Sequence, residues 1–389
     1  MTHVTNENPA TQPLTQRLAL PLRVPLRGEH PYGAPQLDVA HLLNTNENPY
    51  SPPGEVIAAI TDRVAQVAAT LNRYPDRDFH ELRHALAAYL SSDTGVDVAA
   101  DNIWAANGSN EVMLHILQAF GGPGRTALAF APTYAMYREY ARNTATNYQE
   151  IPRNADFTIG LEDARAAIRT HQPSVIFLTS PNNPTGTAMP LSDVEAIAQE
   201  AQQLRIDGAP ALVVVDEAYA EFRRTGTPSA TELLSVYPHV IVTRTMSKAF
   251  ALAGARVGYL AAHPDIVDAL RIVRLPYHLS SVTQAVALAA LDTADLLQEQ
   301  VDTIRKNRDR LVDWLRTCTT QGRPLTVADS DSNFIFFGLF EDRDALWARL
   351  LHHGVLVRQS GPAGWLRVTI GTDSDIDAFT TALTKELDQ

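Results

Sequence analysis

Short, continuous apolar runs recur along the middle of this chain, and segments with helical spacing lie between them. The runs occupy residues 126–130, 174–179, 211–215 and 240–243. They do not alternate polar and apolar residues, which is the pattern of a strand covered on both faces. Strands separated by helical segments, such as residues 191–204, favour a mainly parallel sheet covered by helices. The sequence therefore predicts an α/β fold built on such a sheet.

The pattern changes near residue 277, which indicates more than one domain. The chain has 389 residues, which is long for a single core and suits two domains. Helical spacing continues through residues 281–317, and shorter strands follow at 333–338, 355–357 and 366–369. We predict a disordered leader (residues 1–20), an N-terminal arm with part of the small domain (21–60), a large domain (61–280) and a smaller C-terminal α/β domain (281–389).

Composition excludes several classes of partner. The formal net charge is −12, which disfavours nucleic acid and anionic membranes. The sequence has no apolar run long enough to span a membrane, and residues 1–16 lack the apolar core of a secretory signal. Cys318 is the single cysteine, so a disulfide framework within the chain is impossible. We expect a cytoplasmic protein, since that compartment is reducing.

Polar residues follow four of the predicted strands, the fourth being a short one at residues 102–106. In an open parallel sheet, ligands bind beyond the carboxyl ends of the strands. We therefore expect the four polar clusters to form one site. They lie at residues 107–111, 180–186, 216–219 and 244–248.

Each cluster also has a purely structural interpretation. Gly108, Ser109 and Asn110 could cap a helix, or their free amides could bind an anion. The loop rich in proline and asparagine could be an ordinary turn. Asp216 could cap a helix or form an ion pair, and Lys248 taken alone could be a surface residue. Only the combination of the four clusters distinguishes a ligand-binding site from ordinary caps and loops.

In combination, they suit a cofactor that has a pyridine ring and an aldehyde. A carboxylate such as Asp216 can keep a pyridine nitrogen protonated, so that the ring accepts electrons. Tyr219 and Asn183 can hydrogen-bond a phenolic oxygen on the ring. An aldehyde needs a lysine whose pKa is depressed by burial and by nearby cations. Lys248 meets this need, because Arg256 follows it by eight residues.

A phosphate on the same cofactor would need a fork of donors. Arg256, the hydroxyls of Thr245 and Ser247, and the amides of Gly108 and Ser109 could supply it. We therefore predict an anion site where these segments meet.

Three motifs carry a resemblance to a known family. Residues 180–186 read SPNNPTG, residues 216–219 read DEAY and residues 247–256 read SKAFALAGAR. They resemble the fold-type I, class I/II aminotransferases, which use pyridoxal 5′-phosphate. Closer features, LNTNENPY at 43–50 and YPD at 74–76, are most similar to the histidinol-phosphate aminotransferases. The similarity runs from about residue 26 to the C-terminus in the expected order.

This resemblance implies roles for individual residues. Lys248 would form the Schiff base with the cofactor and then carry the proton between substrate and cofactor. Asp216 would pair with the pyridine nitrogen, Asn183 and Tyr219 would bind the phenolic oxygen, and Tyr134 would stack on the ring. The residues implied for the phosphate are Gly108, Ser109, Asn110, Thr245, Ser247 and Arg256.

The resemblance also implies a homodimer and a substrate. Tyr74 would reach the cofactor phosphate of the other subunit. Arg367 would bind the α-carboxylate of glutamate, and Arg358 and Tyr32 would bind the phosphate of histidinol phosphate. Asn48 would lie at the imidazole end. The implied reaction converts L-histidinol phosphate and 2-oxoglutarate into imidazole acetol phosphate and L-glutamate, within histidine biosynthesis.

The sequence also has to be compared with other possible functions. The stretch from His80 to His84 reads HELRH and fits the zinc-peptidase pattern, but residues 103–108 offer no carboxylate or histidine as a third ligand. We therefore expect no metal. An aromatic amino-acid aminotransferase would share the fold and the cofactor. A binding or regulatory protein with a relic site is disfavoured, because Lys248 and Asp216 are both present.

Overall fold

The computed structural model describes residues 20–387, which divide into two compact units at residue 38. The first unit, as far as it is described, contains one short 3₁₀ turn at Val24–Leu26. Its boundary falls inside the arm predicted for residues 21–60. The disordered leader predicted for residues 1–20 lies outside the described residues, except for Leu20, which is exposed.

All the helices and strands named here lie in the second unit. The helices are α1 (Gly54–Ala68), α2 (His80–Thr94), α3 (Ser109–Phe120), α4 (Met136–Asn143), α5 (Leu161–His171), α6 (Leu191–Gln203), α7 (Pro264–Val273), α8 (Ser281–Asp292), α9 (Ala294–Thr317), α10 (Arg343–His352) and α11 (Asp373–Leu387). The strands are β1 (His41–Leu42), β2 (Ile103–Ala106), β3 (Thr126–Ala131), β4 (Asn147–Pro152), β5 (Val175–Thr179), β6 (Leu212–Asp216), β7 (Val240–Thr245), β8 (Gly258–Ala261), β9 (Thr319–Thr320), β10 (Arg323–Pro324), β11 (Thr326–Val327), β12 (Phe334–Gly338), β13 (Val355–Leu356), β14 (Arg358–Gln359) and β15 (Trp365–Thr369).

The larger sheet has seven strands in the order β2-β8-β7-β6-β5-β3-β4. Strands β5, β6 and β7 are buried along their whole length, because helices cover both faces. The predicted α/β class with a mainly parallel sheet is confirmed. The sequence patterns missed β4, a partly exposed edge strand, and β8, a four-residue strand that runs antiparallel to both neighbours.

The register of this sheet brings the polar clusters to one edge. Thr179 is opposite Asp216, and Asp216 is opposite Thr243. The loops that follow β5, β6 and β7 therefore leave the sheet side by side. Helix α3 begins at Ser109, so Ser109, Asn110 and Glu111 form its first turn.

The C-terminal part contains a four-stranded sheet in the order β11-β12-β15-β14. Its strands are antiparallel. Beside it, β1 pairs with β13, and the amide of Thr369 donates to the carbonyl of Leu43 at 3.0 Å. The helical stretches predicted within residues 281–317 are two helices, α8 and α9, separated at Thr293. None of the helices described is long and apolar enough to cross a membrane.

Candidate active site

Lys248 lies in the turn that follows β7, at the edge where the polar loops converge. Its Nζ donates a hydrogen bond to the carbonyl of Thr45 at 3.1 Å. Burial lowers the pKa of the Lys248 amine to about 8, and the positive charge of Arg367 acts in the same direction. A lysine with this pKa is partly neutral near pH 7 and is therefore available as a nucleophile.

Asp216 ends β6 with its carboxylate buried. Its Oδ2 accepts a hydrogen bond from the Tyr137 hydroxyl at 2.7 Å, and its Oδ1 accepts one from the Ala218 amide at 3.2 Å. Burial raises the pKa of Asp216, and these hydrogen bonds oppose the rise. Within residues 20–387, no lysine or arginine forms a salt bridge with it. A protonated pyridine nitrogen would supply the missing positive charge, so Asp216 fits the predicted cofactor.

Two asparagine side chains donate to the Tyr219 hydroxyl. Asn183 donates to this oxygen from Nδ2 at 3.3 Å, and Asn46 donates from Nδ2 at 3.1 Å. The predicted pair of Asn183 and Tyr219 is therefore brought together. Sequence reasoning did not assign Asn46 to this contact, although it lies in the LNTNENPY motif. Tyr137 was also missed, because it lies 79 positions from Asp216 and nothing local marks it.

The predicted anion site forms where α3 begins. A Cβ added to Gly108 would lie 2.6 Å from Arg256 Nη2, so the guanidinium rests directly against this glycine. A Cβ added to Gly258 would lie 2.1 Å from the amide nitrogen of Ser109. Both positions therefore need glycine, because a side chain would prevent Arg256 from approaching Gly108 and would prevent β8 from approaching the start of α3. The first turn of α3 and one guanidinium face the same place, which suits a phosphate.

Two hydroxyls of the 244–248 loop also lie together. The Thr245 hydroxyl is 3.0 Å from Ser247 Oγ and accepts the Ser247 amide at 3.2 Å. The Tyr134 hydroxyl donates to Asn110 Oδ1 at 3.2 Å, which ties the tyrosine predicted to stack on the ring to the first turn of α3. The chain thus offers ring, aldehyde and phosphate contacts that fit pyridoxal phosphate.

Arg358 and Arg367 lie directly opposite each other on β14 and β15. Opposed residues of antiparallel strands place their side chains on the same face of the sheet. Arg367 is buried; it donates from Nη1 to Asn183 Oδ1 at 2.6 Å and from Nη2 to the Asn44 carbonyl at 2.8 Å. Arg358 therefore lies next to Arg367, which is held in the site by these hydrogen bonds.

The other predicted residues lie in different surroundings. The Asn48 amide donates to Gln300 Oε1 at 3.0 Å, and its Oδ1 accepts the Tyr50 amide. Tyr74 is exposed and stacks on Tyr277, with ring centroids 4.4 Å apart. Tyr32 belongs to residues 20–38 and is exposed.

The HELRH stretch forms the start of α2. His80 contacts Asp76 at 3.0 Å, and Glu81 accepts a hydrogen bond from Arg63 at 3.2 Å. His84 is exposed. Within residues 20–387, no group of three or more histidine, cysteine or carboxylate residues is placed to hold a metal ion.

Comparisons with known proteins agree with this geometry. A family model described as aminotransferase class I and II matches residues 40–383. Histidinol-phosphate aminotransferase of Thermobifida fusca is 60% identical over 364 residues, which cover 94% of this chain and 95% of that protein. The protein of the same name from Bifidobacterium longum is 52% identical over 373 residues, 95% of this chain and 97% of that protein. The crystal structure of histidinol-phosphate aminotransferase from Sinorhizobium meliloti in complex with pyridoxal-5′-phosphate superposes with a TM-score of 0.77 at 27% identity, covering 90% of this chain and 91% of that chain. The chain belongs to the class I and II aminotransferases.

Proposed function

We propose that the chain is a pyridoxal-phosphate-dependent histidinol-phosphate aminotransferase. It converts L-histidinol phosphate and 2-oxoglutarate into imidazole acetol phosphate and L-glutamate. The observation that carries this proposal is the opposed pair of Arg358 and Arg367, with Arg367 bonded to Asn183 beside the lysine site. The names of relatives at 52% and 60% identity support the same substrate.

The cofactor, when bound, supplies an aldehyde that takes up the amino group and a ring that delocalises electrons released from the substrate carbon. Asp216 holds the proton on the ring nitrogen. Asn183 and Tyr219 hold the phenolic oxygen, and Tyr134 covers the ring. The phosphate is held by Ser109 and Arg256, with the first-turn and loop groups Gly108, Asn110, Thr245 and Ser247.

Lys248 moves the proton. The free amine of Lys248 is a base of suitable strength, since its pKa is about 8. Its Nζ would take the proton from the substrate carbon that carries the amino group and hold that proton for its return during the transfer. A general base whose pKa lies near the working pH is the most effective.

The two arginines select the substrates. Glutamate and 2-oxoglutarate carry an α-carboxylate, whereas histidinol phosphate carries a phosphomonoester in its place. A guanidinium fork reads either anion. Arg367 binds both, while Arg358 supplies the additional charge that a phosphate requires. Asn48 borders the imidazole end, and the role of Tyr32 at the phosphate stays a prediction from the family resemblance.

A homodimer completes the site. Leu71, Tyr74, Ile272 and Leu275 are each more than half exposed, and Tyr74 stacks on Tyr277. An exposed group of large apolar side chains is typical of an interface. We propose that a second copy covers it and that Tyr74 reaches the cofactor phosphate there.

We assign residues 61–280 to a large domain and residues 281–389 to a small one, with residues 21–60 as the arm and part of the small domain. The seven-stranded sheet lies within residues 103–261 and the four-stranded sheet within 326–369, which supports this division. We place the enzyme in the cytoplasm, acting on small molecules and neither on nucleic acid nor on membranes.

The test is the absorbance spectrum of the purified protein before and after addition of L-histidinol phosphate without an oxo-acid. We expect a visible cofactor band that bleaches as imidazole acetol phosphate forms, which mass spectrometry can identify. The Lys248→Ala variant should fold but not turn over. A protein that cannot be loaded with the cofactor would contradict the whole proposal.

The same experiment separates the second candidate, an aromatic amino-acid aminotransferase. Its donors, phenylalanine and tyrosine, have a carboxylate and no phosphate. If only these amino acids bleach the band, the chain is an aminotransferase but the proposed substrate is wrong.

A further inference from the structure

A second cavity lies apart from the residues assigned to the cofactor and substrates. It holds about 190 Å³ between α2, the segment after Tyr219 and the start of α9. This space is many times larger than a single water molecule needs, so it admits a small molecule. The lining residues that matter for its chemistry are Tyr89, Asp93, Glu221, Phe250, Asp295 and Gln298. None of them belongs to the exposed apolar patch assigned to the dimer.

Glu221 is the buried acid of this cavity. Only 5% of the residue is exposed, and its Oε2 has no hydrogen-bond partner among the described residues. Its other oxygen, Oε1, is 3.4 Å from Arg244 Nη1. A buried carboxylate oxygen without a partner is costly, so it marks a place where a donor can bind.

The surrounding charges do not cancel. Arg244 lies 2.7 Å from Asp93 and 2.8 Å from Glu217, and Arg223 lies 3.7 Å from Asp93. Together with Glu221 and Asp295 there are four carboxyl groups against two guanidinium groups, a formal difference of two negative charges. Burial raises the pKa of Glu221, so a bound cation would stabilise its charged form. The lining residues include no lysine or arginine. The cavity therefore favours a cation.

The shape of the site favours an organic cation over a metal ion. Within the described chain, no three acidic or histidine side chains converge closely enough to hold a metal. Tyr89 and Phe250 line the cavity with their rings in edge contact at 5.1 Å. Aromatic faces attract flat cations such as guanidinium, and Glu221 and Asp295 offer carboxylates to its N–H groups.

We propose that this cavity is a second binding site, separate from the catalytic one, for a small organic cation of the guanidinium type. Glu221 anchors the cation at the buried end, Asp295 binds at the mouth, and Tyr89 and Phe250 cover its flat face. Phe250 follows Lys248 by two residues, so an occupied site lies next to the loop that carries the catalytic lysine.

Isothermal titration of the cofactor-loaded protein tests this proposal. The probe is N-butylguanidinium, and the matched control ligand is N-butylurea, which has the same shape without the charge. We expect saturable binding of one N-butylguanidinium per chain, about tenfold or more tighter than N-butylurea, as a charge-assisted contact predicts. Neither probe carries a primary amine that would react with the cofactor.

Variants locate the binding. Glu221→Gln and Asp295→Asn should each weaken N-butylguanidinium binding about tenfold, while Asp313→Asn, at an exposed position further along α9, should not. Since Glu221 is buried, its variant could fail to fold; Asp295 is exposed, so Asp295→Asn provides the test in that event. Equal binding of the two probes, no binding, or affinities unchanged in both variants would overturn the proposal.

Discussion

Arg367 donates from Nη1 to Asn183 Oδ1 at 2.6 Å, although the two residues are 184 positions apart. The bond joins the four-stranded sheet to the loop that follows β5. Asn183 in turn donates to the Tyr219 hydroxyl. Arg367, which is assigned to the substrate anion, is therefore connected through hydrogen bonds to Asn183 and Tyr219, which are assigned to the cofactor. A substitution at Arg367 is expected to affect cofactor binding, and the reverse is also expected.

Replacing Arg358 should separate the two substrates. In Arg358→Gln, kcat/KM for L-histidinol phosphate should fall about 10- to 100-fold, since one charged hydrogen bond contributes roughly 1.5–3 kcal/mol. The half-reaction with L-glutamate should change little, because its carboxylate is bound by Arg367. Arg367→Gln should impair both. Single-turnover absorbance measures both half-reactions, with Arg316→Gln as the control; equal losses in Arg358→Gln would refute the assignment.

Removing the Tyr137 hydroxyl should weaken cofactor binding. Tyr137→Phe keeps the ring stacked on Phe177 at 4.5 Å but removes the 2.7 Å bond to Asp216. Because that bond opposes the raised pKa of Asp216, its loss favours the neutral carboxyl, which pairs poorly with a pyridinium. We expect roughly tenfold weaker pyridoxal phosphate binding to the apoenzyme. Tyr237→Phe, whose hydroxyl bonds Glu195, is the control, and unchanged affinity in Tyr137→Phe would count against this role.

Two glycine substitutions isolate the phosphate site. Gly108 has φ +88° and Gly124 has φ +82°, so alanine at either should cost about 1–2 kcal/mol of folding free energy. Only at Gly108 would the new methyl group meet Arg256; nothing lies within 4 Å at Gly124. We therefore expect Gly108→Ala to weaken cofactor binding at least about tenfold and Gly124→Ala to leave it unchanged. Similar affinities in the two variants would remove Arg256 from the phosphate site.

The lowered pKa of Lys248 should make apoenzyme stability depend on pH. Well below pH 8 the amine is mostly charged in both states, and its burial costs about 3 kcal/mol of folding free energy. Between pH 8 and 10.5 the folded state releases this proton while the unfolded state keeps it, so stability rises with pH. Lys248→Met should therefore stabilise the apoenzyme most near pH 7, and the gain should decline as pH rises towards 10.5.

Denaturant unfolding of both proteins at several pH values measures this difference. Lys306→Met, at an exposed position of α9, should show no such trend. A stability difference between wild type and Lys248→Met that is constant across the pH range would contradict the lowered pKa.

Mixed dimers test the shared site. Lys248→Ala and Tyr74→Ala should each lose most activity, and a reassociated mixture should recover about a quarter of the wild-type value. Random pairing makes half of the dimers mixed, and each of these has one intact site. If Tyr74 served its own subunit, the mixture would gain no activity from mixing.

The sequence by itself determined the sheet and the reacting groups. Buried strands such as β5 and β6 are marked by continuous apolar runs, and Lys248, Asp216 and the glycine before α3 lie in local motifs that follow those strands. These signals are visible because each depends on a few consecutive residues. Edge strand β4 was missed for the same reason: one side faces solvent, and its mixed composition resembles a loop.

Only the tertiary structure decided which distant side chains meet. The hydrogen bonds from Tyr137 to Asp216 and from Asn46 to Tyr219 depend on how α4 and the segment after β1 pack. The pairing of Arg358 with Arg367 depends on strand register, and a shift of one residue would turn one arginine to the other face. Register and packing are set by the whole core, so no local pattern in the chain records them.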